Sequence, residues 1–170
     1  DLPRLSGLSI SNVRKMEGLN EVPSIGSLTL SREITKIEGL DNLPWLGILD
    51  LRGNKIRRIE GLENVPNVHM LYLSNNPIEK IEGLDTLHRL GLLILAYSRV
   101  EKIEGLENNP KVNSLLLHHA RVTKIEGLDH LSMLYELDLR DNAINKIEGL
   151  ENKPIFYFND TATTEIYTIE

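Results

Sequence analysis

The chain repeats itself at a fixed interval, and this constrains its fold more than any other feature. The run Lys36-Ile37-Glu38-Gly39-Leu40 returns as Arg58-Ile59-Glu60-Gly61-Leu62 and again at 80–84, 102–106, 124–128 and 146–150, with a weaker copy at 15–19. The glycine step is 21 residues from Gly18 to Gly39 and 22 at every later one, through Gly61, Gly83, Gly105, Gly127 and Gly149. A period in this range marks a solenoid, in which each unit buries its apolar face against its neighbours. One unit alone is unstable: its roughly eight apolar positions yield about 1.5–3 kcal/mol each when buried. Ordering the backbone costs about 1–2 kcal/mol per residue, which over a whole repeat exceeds that gain. Backbone hydrogen bonds and contacts between units must supply the rest.

The unit ending at Gly61 places Leu43, Leu46, Leu49, Leu51, Asn54, Ile56, Ile59 and Leu62 in order, and the next places Val65, Val68, Leu71, Leu73, Asn76, Ile78, Ile81 and Leu84 at the same offsets. Alternation in Leu71-Tyr72-Leu73 predicts a short strand with leucines inward and Tyr72 outward. Equivalent strands are expected around residues 28–30, 49–51, 93–95, 115–117 and 137–139. Stacked, they form a parallel sheet. Leucine-poor segments such as Glu63-Asn64-Val65-Pro66-Asn67 return behind it as turns or 3₁₀ pieces. Glycine at each Glu-Gly-Leu step fits a positive φ or a close backbone approach. Asn54, Asn76 and Asn142 share a slot where an inward amide can bond backbone groups left free at the strand-to-turn corner. Ser98 and Ala120 replace it in two units, and the first two units are two residues and one residue short.

These residues resemble the leucine-rich repeat, L-x-x-L-x-L-x-x-N-x-L, over about residues 2–154. The run I-x-x-I-E-G-L-E/D-N is similar to the 22-residue class whose best-known member is the phosphatase-1 regulatory subunit of that type. The resemblance implies an α/β leucine-rich-repeat solenoid, with a curved parallel β-sheet on the concave side and turns and short 3₁₀ or helical pieces on the convex side. It also implies protein–protein scaffolding, with a phosphatase catalytic subunit as a partner by resemblance only. Bacterial internalins share the repeat length, but their usual repeat ending differs from this one. That favours a cytoplasmic setting, or a nuclear one in a eukaryote. The rival readings are an extracellular adhesin-type array and the recognition arm of a larger catalytic or phosphatase-regulating protein.

Composition narrows the function classes. Net charge is -6 over 170 residues and no basic stripe offsets it, so no nucleic-acid partner is expected. No apolar run approaches membrane-spanning length. There are no cysteines, which removes disulfides and thiolate metal sites. The array is expected to span residues 1–154 as about seven repeats, truncated at both ends, the chain starting at Asp1 with a repeat under way. Residues 155–170 break the pattern: both phenylalanines lie there, and the leucine slots fall on Asn159 and Thr161. The stretch at 159–168 resembles a translated sequencing adapter, codon by codon. A tail that packs poorly on the array is therefore expected, a genuine cap with a strand at 165–169 being the alternative.

The candidate chemistry lies in the outward positions. One column reads Ser9, Thr29, Asp50, Tyr72, Ile94, Leu116, Asp138, and its neighbour Gly7, Ser27, Ile48, Met70, Leu92, Ser114, Glu136. A third, after the strand's last leucine, reads Ser11, Ser31, Arg52, Ser74, Ala96, His118, Arg140. A solvent-side face has no folding reason to gather Ile48, Met70, Tyr72, Leu92, Ile94 and Leu116. With Tyr97 and Tyr135 on the rim, His118, and the charged Asp50, Arg52, Asp138 and Arg140 at the borders, they form the expected partner-binding set for a protein or peptide. The Lys and Glu flanking each inward isoleucine read as a solvated face with weak ion pairs. His69, His118 and His119 come without further ligands at a recognisable spacing, so no metal or other cofactor is expected. No nucleophile–base set or phosphate-binding loop supports an enzyme.

Overall fold

The structure, a computed structural model, describes residues 6–145, 150, 156–157 and 166–167. Among the described residues nine strands follow in chain order: β1 (Gly7–Val13), β2 (Ser27–Arg32), β3 (Ile48–Asp50), β4 (Met70–Tyr72), β5 (Leu92–Ile94), β6 (Ser114–Leu116), β7 (Glu136–Asp138), β8 (Phe156–Tyr157) and β9 (Ile166–Tyr167). They make one sheet whose spatial order is the sequence order. Neighbours from β1 to β8 are parallel, and only β8 and β9 pair antiparallel. A parallel neighbour requires the chain to cross behind the sheet in every unit. The result is the leucine-rich-repeat solenoid.

The register is set by the leucines. Leu28, Leu49, Leu71, Leu93, Leu115 and Leu137 stand in line across β2 to β7, all fully buried. The three-residue strands centre on these leucines, one residue earlier than expected from the sequence. The ladder nonetheless runs on past them, with Leu51 N–H donating to the Tyr72 carbonyl at 2.8 Å and Leu73 N–H to that of Ile94 at 2.8 Å. Behind the sheet the chain makes turns closed by bonds such as Leu46 N–H to the Leu43 carbonyl at 3.1 Å. Helix is scarce: among the described residues only Leu19–Glu21 form a 3₁₀ turn.

Two ladders lock the units together. At Gly61 and Gly83 φ is +71° and +67°, and an added Cβ would stand 2.2 and 2.3 Å from the carbonyl oxygens of Ile37 and Ile59 one repeat back. Both reasons for glycine thus hold at once. The asparagine slot forms the second ladder. Asn76 accepts from Ile56 N–H at 3.0 Å and donates to the carbonyls of Leu51 and Leu73 at 2.8 and 3.0 Å. Asn142 repeats this against Val122, Leu117 and Leu139. Asn54 also serves the shortened second unit, which lacks its own asparagine: it accepts from Ile34 N–H at 3.0 Å and donates to the Leu30 carbonyl at 2.8 Å.

The break expected at residues 155–170 falls mostly outside the described residues, as does the adapter-like stretch at 159–168. Of that segment only β8 and β9 are described; β8 continues the parallel order beside β7, and β9 reverses it.

Candidate partner-binding surface

The strands set two outward columns side by side. Ile48, Met70, Leu92, Ser114 and Glu136 are in register along one, and Asp50, Tyr72, Ile94, Leu116 and Asp138 along the other. The apolar members are offset by one repeat between the columns, so they form an oblique band across the sheet. At about 4.8 Å per strand, each column's apolar part covers three strands. All six of these side chains are half-buried. The Tyr72 hydroxyl lies 3.6 Å from the Met70 sulfur, filling the centre of the band.

Each end of the band is closed by the same clamp. Arg52 Nε donates to Asp50 Oδ1 at 2.9 Å and Nη2 to Oδ2 at 2.6 Å, while the Arg52 backbone N–H reaches Oδ1 at 3.1 Å. Arg140 holds Asp138 in the same way, at 2.8, 2.6 and 3.1 Å. Both carboxylates are buried, Asp138 to 4% exposure. Burial pushes the Asp138 carboxyl up, and hydrogen bonds from the Arg140 side chain and backbone oppose it. With the charges of Arg140 and His118 they hold the group below the usual carboxylate value. Each arginine is raised above its ordinary value chiefly by the hydrogen bond to its aspartate. Arg52 also lies over the Tyr72 ring, 5.2 Å from its centroid. The charged border is therefore largely satisfied within the chain, and the band presents mainly its apolar surface.

The remaining expected residues occupy the rims. Tyr97 and Tyr135 are both about half exposed, on opposite edges: Tyr97 follows β5 and Tyr135 precedes β7. His118 sits beside Tyr97 with the rings edge to face, their centroids 5.6 Å apart. Its Nδ1 lies 3.1 Å from Asp138 Oδ2 but out of line for a hydrogen bond, so proximity alone joins them. Sequence reasoning missed Trp45, which is 70% exposed on the edge where the chain enters the sheet. Asn67, Arg89 and Lys111 hold its slot in the following units, and an apolar ring among polar residues was the available signal. Met133 is exposed in that same slot near the other end.

The leucine-rich-repeat profile matches residues 47–155. The chain belongs to the leucine-rich-repeat family. No curated protein matches it. Among solved structures it is similar to the internalin InlF of Listeria monocytogenes strain 4b F2365, with a TM-score of 0.75 and 22% identity over 90% of this chain and 47% of that one. It is also similar to internalin C2 of the same strain (TM-score 0.65, 23% identity, 91% and 80% covered). A third likeness is to TLR13 in its complex with ssRNA13 (TM-score 0.82, 22% identity, 92% and 25% covered). At these identities the likeness shows the fold alone. The chain spans about half the length of InlF.

Elsewhere this leucine-rich repeat carries ordinary surface chemistry. Some of the Lys and Glu that flank an inward isoleucine pair within a unit, as Lys36 with Glu38 at 3.5 Å and Lys124 with Glu126 at 2.9 Å. Arg58 reaches Glu82 across units at 3.0 Å. These groups are partly or largely exposed, and such pairs contribute about 0–1 kcal/mol. Among the described residues no three His, Asp or Glu side chains are placed to hold a metal ion. No helix among them is long and apolar enough to cross a membrane.

Proposed function

We propose that the chain is a non-catalytic module that binds a protein or peptide segment across the concave face of its sheet. The oblique band of Ile48, Met70, Leu92, Tyr72, Ile94 and Leu116 carries this reading. It is apolar and half exposed, and its border charges are already neutralised, so a partner can cover it without leaving an unpaired charge buried. A broad, open face suits a helix or an extended segment better than a small metabolite, which wants an enclosed pocket. No cofactor, metal or catalytic role is proposed. Nucleic acid is not the proposed ligand either, because the net charge is -6; the ssRNA of the TLR13 complex belongs to a chain that this one covers by only 25%.

Peptides selected from a displayed random library provide the probe. Ile94→Ser should weaken the selected binders about tenfold or more, as expected for a central anchor, while Lys102→Ser on the flank should leave them unchanged. Binders sensitive to the flank and indifferent to Ile94 would overturn the reading. A cytoplasmic or nuclear setting and a phosphatase catalytic subunit as partner belong to the same proposal, through the repeat's resemblance. The alternative, a surface adhesin-type array, draws support from the internalin-like fold. Surface labelling of intact source cells decides between the two settings.

A further inference from the structure

We propose that the corners where the chain leaves β5 and β6 form a second recognition site, which takes acidic side chains of an extended peptide. This builds on the protein-binding reading, since the ligand is a peptide, but it uses none of the six apolar residues of the band. In each full-length unit the chain leaves the strand through a residue in the left-handed region, followed by the asparagine slot. The five described corners read Gly53-Asn54, Asn75-Asn76, Tyr97-Ser98, His119-Ala120 and Asp141-Asn142. Their first residues have φ of +66°, +57°, +56°, +54° and +55°. Glycine has no Cβ to clash, and Asn and Asp visit this region with local hydrogen bonding. Tyrosine has neither advantage, so strain is stored at Tyr97, whereas histidine tolerates the conformation of His119 better. These same two corners also lack the asparagine that elsewhere ties three backbone groups together. Both stabilising devices are thus missing at Tyr97-Ser98, and the asparagine is missing again at the adjacent His119-Ala120. Folding gains nothing from that coincidence, and the surface it creates is the remaining explanation.

That surface is an aromatic step beside two arginines. The Tyr97 ring stacks on His119 with centroids 4.5 Å apart and planes 19° from parallel. Two residues further on stand Arg99 and Arg121, where other units have Lys55, Pro77 and Ala143. Both line one open cleft with Asn75, Pro77, Tyr97 and His119. The facing acids are few. Glu79 approaches Arg99 only to 4.0 Å, and Asp141 lies 3.2 Å from His119 Nε2. No ion pair among the described residues engages Arg121. The cleft is rich in N–H donors and walled by rings, so it calls for acceptors on a flexible stem. A carboxylate pairs with a guanidinium through two parallel hydrogen bonds, and its methylenes can lie on the tyrosine face. The arginines stand one repeat apart, about 4.8 Å. Alternate side chains of an extended peptide are about 6.5–7 Å apart, within reach of two such flexible arginines. The fit is to two acidic residues separated by one.

The probe is a capped peptide of alternating glutamate and serine, titrated into the ¹⁵N-labelled chain at low salt. Amide shifts should concentrate at residues 97–99 and 119–121, and the paired change Arg99→Gln with Arg121→Gln should weaken binding about tenfold. Lys80→Gln with Lys102→Gln, the same change in net charge on the flank, should leave it unaltered. So should Ile94→Ser, which keeps this test separate from that of the apolar band. Tyr97→Asn restores a residue the corner tolerates: it should raise the melting temperature and still weaken the peptide. Equal loss from the flank pair, shifts elsewhere, or unchanged binding with Tyr97→Asn would overturn the site. A phosphoserine peptide that binds where the glutamate peptide does not would overturn the assignment to carboxylates.

Discussion

Asn109 donates from inside the core to the carbonyl of Leu84, one repeat back, at 2.9 Å. It donates again to the Leu87 carbonyl at 3.0 Å, while its Oδ1, fully buried, has no hydrogen-bond partner. Leu43, Val65, Leu87 and Leu131 fill the equivalent slot, all buried. The two carbonyls do not need the amide, because Leu87 N–H and Leu90 N–H already donate to them at 2.9 Å each. Asn109→Leu should therefore relieve an unsatisfied acceptor and fill the slot with apolar volume, stabilising the chain by about 1 kcal/mol. Urea unfolding measures it. A loss of about 1 kcal/mol or more would mean that the two amide bonds outweigh the stranded oxygen.

Two glycines separate backbone strain from close packing. Gly53 and Gly83 share a left-handed φ, +66° and +67°, but an added Cβ meets nothing within 4 Å at Gly53 and lies 2.3 Å from the Ile59 oxygen at Gly83. Gly53→Ala should cost only the conformational term, about 1–2 kcal/mol. Gly83→Ala should cost distinctly more, because neither carbonyl nor strand can retreat without opening the interface between units. Equal thermal shifts for the two variants would show that the repeats are looser than their ladder suggests.

Acid should loosen the chain through Asp138. Its carboxyl is held below its ordinary value of 3.8 despite burial, chiefly by Arg140. A depressed carboxylate contributes stability above its unfolded value, and that contribution is lost as pH falls through the folded one. Arg140→Gln should therefore lower stability at neutral pH, on the order of 1 kcal/mol because the guanidinium is half exposed and screened. Below the ordinary carboxylate range the variant and the parent should converge. A difference that persists unchanged to about pH 2 would assign the effect to lost packing of the arginine stem instead.

The core is legible in the sequence because every inward position recurs at one interval. Leu49, Leu71, Leu93 and Leu115 are buried for the same reason and at the same offset. The asparagine ladder is legible too, down to its gaps at Ser98 and Ala120. The closure of Asp50 on Arg52 is less so: the period places both on one side of the strand, but only geometry shows that they neutralise each other. Trp45 escapes a reading by columns because Asn67, Arg89 and Lys111 follow it in its column before the apolar Met133. The left-handed conformation of Tyr97 and His119 is likewise hidden, since backbone conformation follows from the corner and not from the residue that fills it.

The apolar band yields the last prediction. Tyr72 and Ile94 are registered neighbours at its centre, flanked by Met70 and Leu92 in the other column, and all four are half-buried. Their outward atoms contribute little to the core behind them, which Leu71 and Leu93 fill from the opposite side. Replacing Tyr72 or Ile94 by serine should therefore shift the melting temperature little. A bound partner would lose an anchor at the best-desolvated point of the interface, about 2 kcal/mol or more, which is a loss beyond tenfold in affinity. The two variants also differ in a useful way. Tyr72 supports Arg52, whose guanidinium lies over its ring, so Tyr72→Ser should disturb the Asp50–Arg52 clamp as well, whereas Ile94→Ser should not. Calorimetric titration of one selected peptide against both variants, with Glu104→Ser as the flank control, measures the contrast. If both central variants bind as the parent does, the band is not the recognition surface.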